Sequence, residues 1–163
     1  MSSVDLQPVH ALEVPTRAVS LLVPSACVAE VVSPTALVSV PLSPEWVVGV
    51  MGWRLRPVPV ISIEHLMGRG SSASGMERAD ARLEARRRNA GKIVVFYPLP
   101  GRKPWEFFGI IAAAEPQSRV VDSNALAESV DVPGNIYIAS ALRLGDSILS
   151  IPDMDALSAA FYP

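Results

Sequence analysis

The stretch Pro44–Gly68, PEWVVGVMGWRLRPVPVISIEHLMG, decides the fold. It opens on a proline turn, runs through apolar residues, exposes Arg54 and Arg56, and resumes as Val58-Pro59-Val60-Ile61-Ser62-Ile63. A β-branched run bounded by Pro and Gly reads as a buried strand of a small β domain. Leu66, Met67 and Gly68 then close it with one helical turn and a stop. A shortened echo comes late in the chain. Arg143-Leu144-Gly145-Asp146 leads into Ser147-Ile148-Leu149-Ser150-Ile151, and Asp153 to Leu157 repeats the helical closure. With one residue gapped, Val60-Ile61-Ser62-Ile63 lies over Ile148-Leu149-Ser150-Ile151. The repeated order predicts two similar halves.

Outward from that stretch, the chain reads as short strands cut by turns. Residues 1–16, with Pro8 and Pro15 and no clear period, read as a loosely packed N-terminal arm. Arg17–Val23, Ala26–Ser33 and Leu37–Val40 are strand candidates, each ended by proline. Glu30 is the only charge in the second of these and is expected to face solvent or a partner. Residues 69–92 differ in kind: a Gly/Ser start, then a charged run with good helix formers from Met76 to Arg88. This segment carries seven basic and three acidic residues, which leaves the remainder at net −6. It reads as a solvated linker between halves. The second half has strands over Ile93–Tyr97, Trp105–Ile111, Arg119–Val121, Ile136–Leu144 and Ser147–Ile151. Gly109 permits a bulge or a close approach, Asp122-Ser123 can cap a helical turn, and a final helix places Met154, Leu157 and Phe161 on one face.

Composition narrows the function. A chain of 163 residues is one domain or two very small ones. Half its residues are apolar, with a mean hydropathy of +0.32, enough for a real core. Fifteen prolines spread through the chain argue against long helices. A net charge of −2 gives no field to steer nucleic acid. The lone Cys27 allows no internal disulfide, no apolar run reaches a membrane span, and the N-terminal residues do not read as a signal peptide. The expectation is a soluble cytoplasmic protein without membrane insertion.

Catalytic patterns do not assemble in the sequence. His10 lies in the arm, and His65 beside a predicted helix reads as a boundary histidine. Cys27 has no basic neighbour to activate it and reads as a structural thiol. Ser62 and Ser150 sit in apolar strands, and no phosphate-cradling glycine motif occurs. The weight shifts to recognition: no enzyme, no cofactor and no metal are expected. If their strand alternates, Arg54 and Arg56 share a face and can meet a partner carboxylate. Trp46, Trp53 and Trp105 are expected mostly in the core.

These motifs, in this order, resemble the CheW-like coupling domain of bacterial chemosensory systems. Val28-Ala29-Glu30-Val31-Val32 matches the family's first motif. Pro44, Val47, Gly49, Val50, Met51 and Arg54 match its second, P-x-x-V/I-x-G-V-I-N-L-R-G, and Val58-Pro59-Val60-Ile61 its third. Phe108-Gly109-Ile110-Ile111 and Tyr137-Ile138 through Leu157 resemble its closing strands, so the resemblance covers about Arg17 to Leu157. Gly52 stands where the family has Asn, Leu55 where it has Gly, Ser62 where it has Asp, and Ala112-Ala113 where it has Val-Asp. The resemblance implies a mainly β fold of two SH3-like five-stranded barrels in tandem: 17–68, then 69–92 as linker, then 93–157, with strands open to exchange between barrels and 158–163 as a tail. It implies a non-catalytic adaptor between a chemoreceptor's cytoplasmic helical tip and the regulatory domain of a CheA-type histidine kinase. Implied partner-binding residues are Val28, Glu30 and Arg54, with Arg56, Gly49 and Ile111 beside them. The divergence fits an accessory ChpC-like copy in a type IV pilus system controlling twitching motility. Two other classes stand against this one: a split-barrel flavin-binding enzyme and a small-barrel nucleic-acid binder, the latter resting on the Arg-rich linker alone.

Overall fold

The computed structural model describes residues 7–34, 37–68, 91–122, 129–130 and 134–163. Among these residues, twelve strands lie in two sheets. They are β1 (Val9–Pro15), β2 (Ser20–Pro24), β3 (Val28–Val32), β4 (Leu37–Val38), β5 (Val47–Trp53), β6 (Arg56–Ile61), β7 (Lys92–Phe96), β8 (Phe108–Ala112), β9 (Gln117–Val121), β10 (Ser129–Val130), β11 (Ile138–Leu144) and β12 (Ser147–Pro152). Among the described residues, the helices α1 (Ile63–Leu66) and α2 (Met154–Phe161) follow β6 and β12. The helical turn expected from Ser123 onward and the helix expected at Met76–Arg88 fall on residues outside those described.

The sheets share one plan. Their orders, β10-β11-β12-β2-β1-β9 and β4-β5-β6-β8-β7-β3, correspond place by place. In each, five longer strands carry a two-residue strand outside the last hairpin. Each also contains one parallel pair, β12 with β2 and β6 with β8. The chain is thus two copies of six strands, β1–β6 and β7–β12. Each copy gives its first hairpin to one sheet and its last four strands to the other. Strands β7 and β8, expected in a second barrel made from 93–157, belong to the sheet of β3–β6. The echo seen in the sequence marks equivalent elements, β6 and β12, but not equivalent residues. The hairpin turns are Arg54-Leu55 and Gly145-Asp146. Arg143 therefore lies on β11, ahead of the turn.

Three apolar clusters explain the continuous apolar runs. In β7, Ile93 and Val95 point into the β3–β8 barrel with Met51, Trp53 and Val58, while Val94 and Phe96 point to a core shared by both sheets. That shared core joins Val14, Leu21 and Val23 of one sheet to Ile61, Phe108 and Ile110 of the other. A strand buried on both faces needs no polar alternation. Helix α1 seals the core with Ile63, and α2 with Leu157. Asp153 caps α2 by accepting from the Ala156 N–H at 2.9 Å. Phe161 packs edge-on against Trp46 at 6.1 Å, tying α2 to the start of β5.

Several expectations are corrected. Residues 1–16 are not an arm throughout, because Val9–Pro15 pairs with both β2 and β9 and buries Ala11 and Val14. Its charge Glu13, which hides the alternation, is held by Arg119 of β9 at 2.6 Å. The strand expected over Ala26–Ser33 begins as a 3-10 turn at Ser25–Cys27. Gly109 makes no bulge; a Cβ there would stand 3.0 Å from Ile93 Cγ2, so the glycine serves close packing. Trp105 precedes its strand and is 59% exposed rather than core.

Candidate functional site

The site grows from the tip of the β5–β6 hairpin. The pairs Gly52↔Pro57 and Trp53↔Arg56 leave Arg54-Leu55 as a two-residue loop. Such loops match the twist of the flanking strands only with left-handed backbone, which is why Asn-Gly usually fills them. Here Arg54 has φ 46° and Leu55 φ 62°, and neither is glycine. Holding side chains there costs about 1–2 kcal/mol per residue, so the strands on either side must impose it. The result is a stiff tip that holds Leu55 fully in solvent, at 105% relative exposure, between two cations.

Below the tip, Trp53 is buried and its indole Nε1 donates to Glu30 Oε2 at 2.9 Å. Arg54 Nη2 reaches the same oxygen at 3.0 Å, and its guanidinium lies 4.7 Å from the Trp53 ring centre. Strands β3 and β5 stand four places apart in the sheet, so the Glu30–Trp53 bond spans the closure of the barrel. A register shift falls between Val28 and Glu30, an irregularity of the kind that re-aims a side chain. With the Arg54 and Glu30 side chains 64% and 41% exposed, the ion pair itself contributes less than about 1 kcal/mol. Its consequence is orientation: one carboxylate fixes both the indole and the guanidinium.

Phe107 extends this cluster. Its ring packs against Trp53 at 5.2 Å and Tyr97 at 6.2 Å, and the Arg56 guanidinium stands over it at 5.6 Å. The expected fork of Arg54 and Arg56 on one strand face is therefore corrected: Arg54 is in the turn and Arg56 opens β6, each over a different ring. On the outer face of β4 and β5, Val38, Val40, Val50, Leu55 and Pro57 line an open groove of about 540 Å³. Gly49 lets β4 lie close enough to form it. A Cβ at Gly49 would stand 2.6 Å from the Val38 carbonyl oxygen, and its φ of 155° suits glycine.

Of the residues expected to bind partners, the structure brings Glu30 and Arg54 together, with Arg56 across the turn over Phe107. Val28 is half-buried against the shared core. Ile111 is half-buried against the barrel core, and Gly49 is a packing position under β4. Sequence reading missed Phe107, Tyr97 and the exposed Leu55. The last was recoverable: two residues between paired strands must enter the left-handed region.

Elsewhere the polar chemistry is local. Ser62 Oγ donates to Glu64 Oε2 at 2.6 Å and lies 2.8 Å from His65 Nδ1. These contacts tie Ser62 to the first turn of α1. Glu64 Oε1 also accepts from the Arg17 N–H at 2.6 Å, which joins β2's approach to α1. Burial pushes the Cys27 thiol pKa up, which makes it a poor nucleophile. Among the described residues, no group of three or more His, Cys, Asp or Glu could hold a metal, and no helix is long and apolar enough to cross a membrane.

Residues 11–161 match the family model described as the CheW-like domain. No curated protein matches the chain. Among solved structures it is similar to the scaffolding protein TtCheW from Thermoanaerobacter tengcongensis, at TM-score 0.66 and 16% identity, over 91% of this chain and 90% of that one. The structural likeness is one of fold, and the family match runs from β1 to the end of α2. The chain belongs to the CheW-like domain family.

Proposed function

We propose that this protein is a non-catalytic coupling adaptor. It links a chemoreceptor's cytoplasmic helical tip to the regulatory domain of a CheA-type histidine kinase. Membership of the CheW-like family supports the coupling role. The observation that carries the reading is the preorganised Glu30–Trp53–Arg54 cluster, set beside a fully exposed leucine on a strained turn. Backbone strain kept at a solvent-facing tip has no use in the core, and an oriented arginine with an apolar neighbour is what a helical partner can engage. Glu30, Arg54, Arg56 and Leu55 contact one partner. The rest of the groove, at Val38, Val40, Val50 and Pro57, takes the other, a domain of barrel type. The protein works in the cytoplasm, and its divergence at Gly52 and Leu55 suits an accessory coupler of a type IV pilus system.

The test is calorimetry of the folded protein with a cognate receptor tip hairpin and, separately, the kinase regulatory domain. Binding of both at micromolar concentration is expected, with Arg54→Ala weakening one of them and leaving the melting temperature in place. Failure of the folded protein to bind either overturns the proposal.

A further inference from the structure

The last residues of the chain reach the cluster just described. Tyr162, directly after α2, donates its hydroxyl to the Phe107 carbonyl at 2.8 Å. Arg102 Nη1 returns a bond to the Tyr162 carbonyl at 2.7 Å. The loop between β7 and β8 is thus clasped to the tail from two sides. Inside the clasp, the Glu106 side chain is 9% exposed, and its Oε2, 4.0 Å from Arg102 Nη1, has no hydrogen-bond partner. Burial, and then the Glu106 charge, push the Tyr162 pKa up, which keeps the phenol protonated and able to donate. Phe107 is also the ring on which Trp53, Tyr97 and Arg56 rest. A contiguous path runs from the tail through Phe107 and Trp53 to Glu30 and Arg54.

We propose that Tyr162 is a positioning residue for recognition. By holding the Phe107 backbone it sets the ring under Trp53, and so sets where Glu30 and Arg54 stand when a partner arrives. The helix that carries Tyr162 follows β12 of the other sheet, so the tail lets that sheet control a site on its neighbour. The inference rests on the reading of the Glu30–Arg54 cluster as a partner site.

The experiment uses the full chain with 15N-labelled tryptophan, where the three indole N–H resonances are assigned by single Trp→Phe changes. Tyr162→Phe keeps the ring and removes only the donor. Arg102→Ala opens the clasp from the other side. Both are expected to shift the Trp53 indole resonance and to weaken binding of the receptor tip hairpin about fivefold, the ratio that one neutral hydrogen bond corresponds to. A merely structural tail would lower the melting temperature while leaving the Trp53 resonance and the affinity, measured well below melting, unchanged. That result overturns the proposal, as does a shifted resonance with unchanged affinity. Should the wild-type protein bind no receptor tip, the adaptor reading fails, and the Trp53 resonance still decides whether the tail holds the cluster.

Discussion

Replacing Leu55 by glycine should move stability and binding in opposite directions. Leu55 sits at φ 62° and is fully exposed, so the side chain contributes strain and no burial to the folded protein. Leaving the left-handed region to glycine recovers about 1–2 kcal/mol. The freer unfolded chain of a glycine takes back roughly 0.4–1 kcal/mol. The balance is a stabilisation of about 0.5–1 kcal/mol, read as a melting temperature higher by about 1–4 °C for a chain of this size. Binding should run the other way. A leucine that passes from full exposure into a partner's surface contributes about 1.5–3 kcal/mol, so Leu55→Gly should weaken the complex by at least about tenfold. Thermal unfolding and calorimetry on one preparation read both quantities. A lowered melting temperature would refute the strain, since the leucine would then be making contacts that outweigh it. A raised melting temperature with unchanged affinity would refute the tip as a contact and leave it a tolerated irregularity.

Gly49→Ala should destabilise by about 1–3 kcal/mol, the range for overpacking, because the new methyl meets the Val38 carbonyl at 2.6 Å; an unchanged melting temperature would show that β4 moves freely. Glu30→Gln keeps an acceptor for the Trp53 indole while losing the ion pair, so stability should change by less than about 1 kcal/mol and receptor-tip binding should weaken more than that; equal binding would remove Glu30 from the contact. Phe108→Ala should cost about 3–5 kcal/mol because its ring stacks on Phe96 at 5.1 Å in the core shared by both sheets; calorimetry should still show one transition, and two separated transitions would refute the shared core. Burial raises the pKa of Cys27 and Tyr162, so the folded state holds their protons more tightly than the unfolded one. Their contribution is whole below the free thiol and phenol values, about 8.5 and 10, and is lost as pH climbs through the raised ones. Melting temperature should therefore fall with rising pH above about 9, less steeply in Tyr162→Phe, and a rise there would contradict the assignment.

How much of this was legible depended on what each residue's neighbours were. Strands β6 and β7 show plainly, because burial on both faces selects continuous β-branched runs, and β12 shows through its echo of β6. Helix α2 shows through the spacing of Met154, Leu157 and Phe161, while its start could be either Asp153 or Asp155, and the structure caps it with Asp153. Strand β1 did not show: its polar His10 and Glu13 break the alternation, and the Arg119 that satisfies Glu13 lies 106 residues away. Trp105 and Phe107 could not be ranked from sequence, since a run of Trp, Glu, Phe and Phe reads as strand whether or not a turn holds its first half. Of the site, the motif residues Glu30 and Arg54 were found as separate points. Their meeting on one oxygen depends on barrel closure, a property of the whole sheet rather than of any segment.

The split of each six-strand copy between two sheets bears on how such a chain can act as an adaptor. If each copy built its own barrel, the two barrels would touch only at a surface, and their angle would be free to vary. Here the chain crosses between sheets after β2 and again after β8, and the segments that cross are flanked by strands whose side chains fill the shared core. Moving one sheet against the other would expose Phe96, Phe108 and Ile110, all buried. Helix α2 adds a third tie, covalently part of one sheet and packed through Phe161 and Tyr162 on elements of the other. Partners bound at two points of this frame therefore meet at a fixed angle. A coupler whose job is to hold a receptor and a kinase in one geometry needs that rigidity more than it needs any reactive group.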